Sequence, residues 1–197
     1  MRIYGDTMSG NCLKVKWVAE RLGLAHEWVD VDILKGETRT DAFLALNAFG
    51  QVPVVEFDDG RTLAQSNAII VHFAQDSALV PADPYQRARM FEWLFWEQYS
   101  HEPAIAVRRF QKQYLGRADD EIDPALMDKG NRALAHMAQT LAMHDWLAGG
   151  ADITLADIAL LAYTRLAHEG GFDLAAFPAV GAWVMRCERE LGLAPAP

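Results

Sequence analysis

The chain of 197 residues contains only two cysteines, Cys12 and Cys187. That is too few for a disulfide framework or a cysteine-based zinc site. The six histidines show no HExxH-like spacing, so neither a structural nor a catalytic metal is expected. Long apolar runs are missing too. Stretches such as Ile158 to Tyr163 are far too short to cross a bilayer, and no membrane partner is expected. The opening Met1-Arg2-Ile3-Tyr4-Gly5-Asp6 has no basic segment leading into an apolar run, so no secretory signal is visible. A reducing cytoplasm is the expected setting. Basic residues are the minority, 18 Lys+Arg against 27 Asp+Glu, giving a net charge of −9. Such a chain repels a phosphate backbone, and nucleic acid is not an expected partner. What is present is a composition 51% hydrophobic and 23% charged, which suits a globular protein with a large core.

The first 75 or so residues alternate strand and helix patterns. Arg2 to Gly5 reads as a strand. Asn11 to Leu22 reads as a helix with Leu13, Trp17 and Leu22 near one face, stopped by Gly23. His26 to Asp32 alternates as a strand does. A charged loop through Lys35 leads to a helical piece, Thr40 to Leu46. The turn Gly50-Gln51-Val52-Pro53 precedes a strand at Val54 to Phe57, and Asp59-Gly60 suits a hairpin. A brief strand at Thr62-Leu63 follows, then a helix capped by Ser66 and running to Gln75. The order is βαβαββα.

Residues 77–84, with Ser77, Pro81, Asp83 and Pro84, read as a linker between domains at 1–76 and 85–197. Beyond it the pattern is helical throughout. One helical stretch is predicted over Tyr85 to about Leu115, bent or locally broken at Pro103, and another helix over Ala125 to Leu147. Thr154-Leu155-Ala156-Asp157 resembles a capping box opening an apolar helix to Ala167, and a last helix spans Pro178 to Leu191. An α/β unit joined to an all-helical one makes a cleft between them the natural small-molecule site.

Three segments of the α/β unit carry chemistry. Ser9-Gly10-Asn11-Cys12 lies where the first helix begins, and free N–H groups there favour an anion beside the hydroxyl. Ser9 or Asn11 also reads as a plain helix cap. Pro53 can be cis, which would leave the Val52 backbone open to pair with an extended peptide, or it is an ordinary proline starting a strand. Gln65-Ser66-Asn67 opens a helix: Ser66 and the amides suit a carboxylate, and Gln65 suits an ammonium group, or Ser66 is again a plain cap. No Gly-x-Ser-x-Gly elbow is present, which argues against a serine hydrolase.

Taken in order over about 150 residues, the Ser9 turn, the Gly50-Gln51-Val52-Pro53 turn, the Gln65-Ser66-x-Ala68-Ile69 helix start and the Thr154-x-Ala156-Asp157 box resemble the cytosolic glutathione S-transferases, of the bacterial type with serine in the active-site turn. The resemblance implies an α/β thioredoxin-like N-terminal domain, an all-α C-terminal domain and a homodimer. It implies that Ser9 donates a hydrogen bond to the glutathione sulfur, flanked by Asn11 and Cys12. Val52, before a cis Pro53, pairs with the cysteinyl backbone. Gln65 and Ser66 hold the γ-glutamyl end, and Lys35 or Gln51 the glycine carboxylate. The family often has an acid where Gln65 stands and Asn-Pro where Asn47-Ala48 stands. A hydrophobic electrophile is the implied second substrate, with Tyr99, Arg108, Tyr114 and Tyr163 as candidate lining. Arg108 is the candidate for stabilising a departing anion, against core packing for the tyrosines and a paired position for the arginine. His101 and His168 read as ordinary hydrogen-bonded histidines, while Glu97 or Gln98 is a candidate to cross a dimer interface. Two other functions remain open: a thiol–disulfide oxidoreductase using Cys12, and a non-catalytic binding module.

Overall fold

In the computed structural model, which describes residues 1–196, the first unit comprises Met1–Ser77 and the second begins at Ala78. The first follows the order read from the sequence: β1 (Arg2–Gly5), α1 (Gly10–Arg21), β2 (Glu27–Asp30), α2 (Asp41–Leu46), β3 (Val54–Glu56), β4 (Thr62–Ala64) and α3 (Ser66–Ala74). Its four strands form one mixed sheet ordered β2-β1-β3-β4. The β1–β2 pair is parallel, with Ile3 opposite Trp28, and α1 supplies the crossover that such a pair requires. The β1–β3 and β3–β4 pairs are antiparallel. Strand β2 is shorter than its alternating pattern suggests, although the Val31 N–H still reaches the Gly5 carbonyl at 2.9 Å.

Adjacent strand residues point to opposite faces, and both faces are used. Val54 packs with Val31 and with Phe43 of α2. Ile3 and Val55 point the other way and are fully buried, as are Val15 and Val18 of α1 and Ile69 and Ile70 of α3. The buried face of α1 is thus Cys12, Val15, Val18 and Ala19, while Leu13 and Leu22 of the predicted face are only half-buried. Gly5 is required by close approach: a Cβ there would lie 2.5 Å from the Trp28 ring and 3.2 Å from the Cys12 Cβ. Gly23, at φ 64°, turns the chain after α1 in the left-handed region that a side chain disfavours.

The second unit is helical. Its main elements are α4 (Pro84–Trp96), α5 (Glu102–Gln113), α6 (Ala125–Leu141), α7 (Leu155–Thr164) and α8 (Pro178–Leu191). The predicted helical stretch over 85–115 is split by a π-helical segment, Glu97–His101. Pro103 has no N–H for the carbonyl one turn back, so the helix widens before it and restarts with the proline in the first turn of α5. The helix predicted to reach Leu147 stops at Leu141, because the Leu147 N–H is taken by the buried Asp157 carboxylate at 2.9 Å. The apolar helix stops at Thr164, three residues before the predicted end, and Thr164 turns its hydroxyl back onto the Leu160 carbonyl at 2.7 Å.

Asp157 organises this unit. It has no exposed surface and accepts from the Leu147 N–H, the Thr154 N–H and hydroxyl, and the Trp183 indole N–H, at 2.9 to 3.1 Å. Burial pushes its carboxyl above the ordinary range, opposed by those four donors. Asp157→Ala strands several buried donors, so it should cost on the order of 3 kcal/mol of stability. Urea unfolding would show a lower midpoint, and a loss under about 1 kcal/mol would contradict this role.

Candidate active site

The turn before α1 is tied by Asp6, whose carboxylate takes the Met8 N–H at 2.8 Å and whose carbonyl takes the Ser9 N–H at 3.0 Å. Ser9 is the N-cap residue, extended at φ −81° and ψ 119°, and its carbonyl receives the N–H groups of Cys12 and Leu13. Its hydroxyl makes no capping bond. The plain-cap reading of Ser9 therefore fails. Its side chain lies near enough to the Cys12 thiol to oppose, in small part, the effect of burial on that group. A half-buried hydroxyl stands at a helix N-terminus, where the dipole and the first N–H groups favour an anion.

Cys12 itself is fully buried under β1, and burial pushes its thiol up to about 11. A thiolate at neutral pH is then a fraction on the order of one in ten thousand. Cys187 is buried as well, and its thiol is pushed higher still.

At the start of α3, Gln65 adopts φ 71° and ψ 110°, the one positive φ at a non-glycine among the described residues. Such a conformation costs about 1–3 kcal/mol and persists only where the surroundings impose it. Ser66 follows and does not cap its own helix; its hydroxyl donates to the Asn11 Oδ1 at 3.0 Å. One turn along α1, Lys14, fully buried, donates from Nζ to the Asn67 Oδ1 at 3.2 Å. The N-terminal ends of α1 and α3 are thereby joined side by side.

The peptide bond before Pro53 is cis, and Val52 is half-buried ahead of β3. The loop leading to it is held by Asn47, 5% exposed, whose amide donates to the Gln51 carbonyl at 2.6 Å and whose oxygen accepts the Phe49 N–H at 3.1 Å. Gln51 is exposed. Lys35 is ion-paired with Asp32 at 3.0 Å, and this pairing lowers the Asp32 carboxyl and raises the Lys35 ammonium. Lys14 and Asn47 were missed by sequence reasoning. Asn47, three residues before Gly50, carried an Asx-turn signal. A lysine on the buried side of α1 carried none.

In the second unit the four expected lining residues differ in burial and in partners. Tyr99 is 87% exposed and lines a cavity of about 490 Å³ with Trp96, Ser100, Pro103, Arg132 and His136. Tyr114 is half-buried and stacked on Phe110 at 4.8 Å. Tyr163 is 6% exposed on the buried helix α7, which agrees with the core-packing alternative. Arg108 is buried, donates to the Gly170 carbonyl at 2.7 Å and pairs with Asp119, the paired position that was its alternative. His101 is buried against the Thr164 hydroxyl at 2.9 Å, and His168 is exposed. Glu97 is buried and accepts from Gln98 at 2.7 Å. No group of three or more potential metal ligands occurs among the described residues.

A thioredoxin-like unit carrying two linked helix N-termini beside a cis-proline turn, followed by an all-helical unit, defines the glutathione-transferase fold. The family models for the glutathione S-transferase N-terminal and C-terminal domains match residues 8–76 and 94–190. A glutathione S-transferase structure from Pseudomonas fluorescens is 46% identical at a TM-score of 0.91, covering 95% of this chain and 94% of that one. One from Xanthobacter autotrophicus is 45% identical at a TM-score of 0.93, covering 100% and 96%. Glutathione S-transferase 3 of Zea mays is 34% identical over 93% of this chain and 86% of its own length. The chain belongs to the glutathione S-transferase family, whose enzymes transfer glutathione.

The buried, high-pKa Cys12 makes a clear forecast. Alkylation by iodoacetamide at pH 7.5 should leave native Cys12 and Cys187 unmodified, while the urea-unfolded chain takes two labels by mass spectrometry. Rapid labelling of native Cys12 would contradict the burial described.

Proposed function

We propose that the protein is a glutathione transferase of the bacterial, serine-containing type, in which Ser9 activates the thiol. The supporting observation is the Ser9 hydroxyl, which sits at the N-terminus of α1 without capping it. A free thiol has a pKa of about 8.5, and lowering it by about two units takes roughly 2.7 kcal/mol of preferential thiolate stabilisation. One hydroxyl hydrogen bond, the first amides of α1 and the helix dipole, each of order 1 kcal/mol, suffice together.

In this reading glutathione lies along the N-terminal unit. The Val52 backbone pairs with the cysteinyl residue, Gln65 and Ser66 hold the γ-glutamyl end, Lys35 or Gln51 meets the glycine carboxylate, and Asn11 supports the Ser66 side. The sulfur lone pair forms a bond to an electrophilic carbon, and the leaving group departs with its bonding pair. No covalent bond to the protein is needed. The second substrate is a small hydrophobic compound, with Tyr99 and Tyr114 as the remaining aromatic candidates. A cytoplasmic homodimer is the proposed state. The oxidoreductase reading through Cys12 is disfavoured, because a fully buried thiol of pKa about 11 is neither accessible nor ionised.

Ser9→Ala should lower conjugation of a model aryl halide by about tenfold or more, and should move the acidic limb of the pH–rate profile upward by about one unit. Because the hydroxyl caps nothing, the thermal midpoint should stay within about 2 °C of the parent. An unchanged pH–rate profile would remove Ser9 from the chemistry.

A further inference from the structure

A cavity of about 490 Å³ lies wholly within the second unit, between α6 and the stretch formed by the π segment and the start of α5. That size suits a small organic molecule. Each wall is a helical stripe. Trp96, Tyr99 and Ala104 face the cavity from one side. Lys129, Arg132, Ala133 and His136 face it from the other, at the three- and four-residue steps that share one helix face. Ala104 and Ala133 are buried, and their single methyl groups leave depth that a longer side chain would fill.

The two walls differ in chemistry. One presents aromatic rings, with Trp96 half-buried and Tyr99 standing 87% exposed. The other presents basic groups one turn apart. The His136 ring is held against the rings of Trp93 and Trp96, with centroids at 5.4 and 5.2 Å. No aspartate or glutamate lines the cavity, although the chain carries a net charge of −9. On the facing helix α5, Arg108, Arg109 and Lys112 are each matched by Asp119 or Glu169. The side chains of Lys129 and Arg132 make no ion pair or hydrogen bond among the described residues. Two permanent positive charges without an internal partner, opposite exposed aromatic faces, suit a flat ligand of about two negative charges.

We propose that this cavity is a second binding site, for an aromatic dianion: a flat ring lies on Tyr99 and Trp96, and a phosphate-type group meets Arg132 and Lys129. A guanidinium matches a phosphate edge with two parallel N–H bonds, and an ammonium one turn away adds a point charge. The stacked ring adds contact that an inorganic anion lacks. The site uses none of the residues assigned to glutathione, so it is independent of that reading.

Calorimetry on the full chain, at low ionic strength, compares 1-naphthyl phosphate with its neutral parent 1-naphthol and with inorganic phosphate. The naphthyl phosphate should bind about tenfold or more tighter than the other two. Arg132→Gln and Lys129→Gln should each weaken its binding by about threefold to tenfold and leave 1-naphthol unchanged, whereas Tyr99→Ala should weaken both ligands. Raising the salt from about 0.02 M to about 0.3 M should weaken only the phosphate ligand. Lys129 and Arg132 are exposed, so both glutamine variants should keep their thermal midpoints within about 2 °C of the parent. Adenosine 5′-monophosphate separates two sources of the same chemistry. Affinity equal to that of the naphthyl phosphate points to a nucleotide, and lower affinity points to an aryl phosphate, and both results support the site.

The proposal is overturned if 1-naphthyl phosphate binds no tighter than 1-naphthol, if inorganic phosphate matches it, or if Arg132→Gln and Lys129→Gln leave its affinity unchanged. Ser9→Ala and saturating glutathione should also leave that affinity intact. Competition with glutathione would put the ligand in the first unit and overturn the assignment, while absence of glutathione binding would leave it standing.

Discussion

Helix α1 lies directly against the end of strand β1, and much of the N-terminal unit is arranged to permit it. Gly5 has no side chain because the Trp28 ring and Cys12 occupy that space. Cys12 is small and buried because it is the part of α1 that touches the strand. With Cys12 turned inward, Ser9 one turn earlier falls at the mouth of the helix. A side chain at Gly5 would displace the ring, the cysteine and with them the turn that presents the hydroxyl.

The same packing brings α3 alongside α1, and polar groups settle how the two helices meet. Ser66 bonds to Asn11, and Asn67 to Lys14. Burying an ammonium is costly unless it is well paired, so Lys14 fixes the relation between the helices more firmly than apolar contact alone. The result is two helix N-termini, each favouring negative charge, held in one unit. A molecule carrying a thiol and a carboxylate several bonds apart suits that pair, which is why the proposed mechanism needs no metal and no protein nucleophile.

Much of the fold was legible because it is written in local signals. Gly23 ended α1, Pro178 began α8, and the Asp59-Gly60 turn joined β3 to β4 as expected. The errors came where a distant partner outcompeted local propensity. Leu147 left its predicted helix for the Asp157 carboxylate. Around Pro103 the sequence indicated a bend or a local break, and the form it takes, a widening into a π segment, depends on packing that periodicity does not carry. For the candidate site, motif order located Ser9, Val52, Gln65 and Ser66 without showing what each side chain bonds. For Arg108 and Tyr163 the alternatives stayed open in the sequence because a helical pattern gives spacing, while the face each residue turns to is set by tertiary partners such as Asp119 and Gly170.

The central claim is that the N-terminus of α1 keeps the bound thiol ionised. Calorimetric titration of glutathione at pH 7.5, in buffers of different ionisation enthalpy, counts the protons released on binding. A thiol moved from a pKa of about 8.5 to about 6.5 releases about 0.8 proton per tripeptide bound. Release near that value is the predicted result, and binding with no proton release would contradict the account.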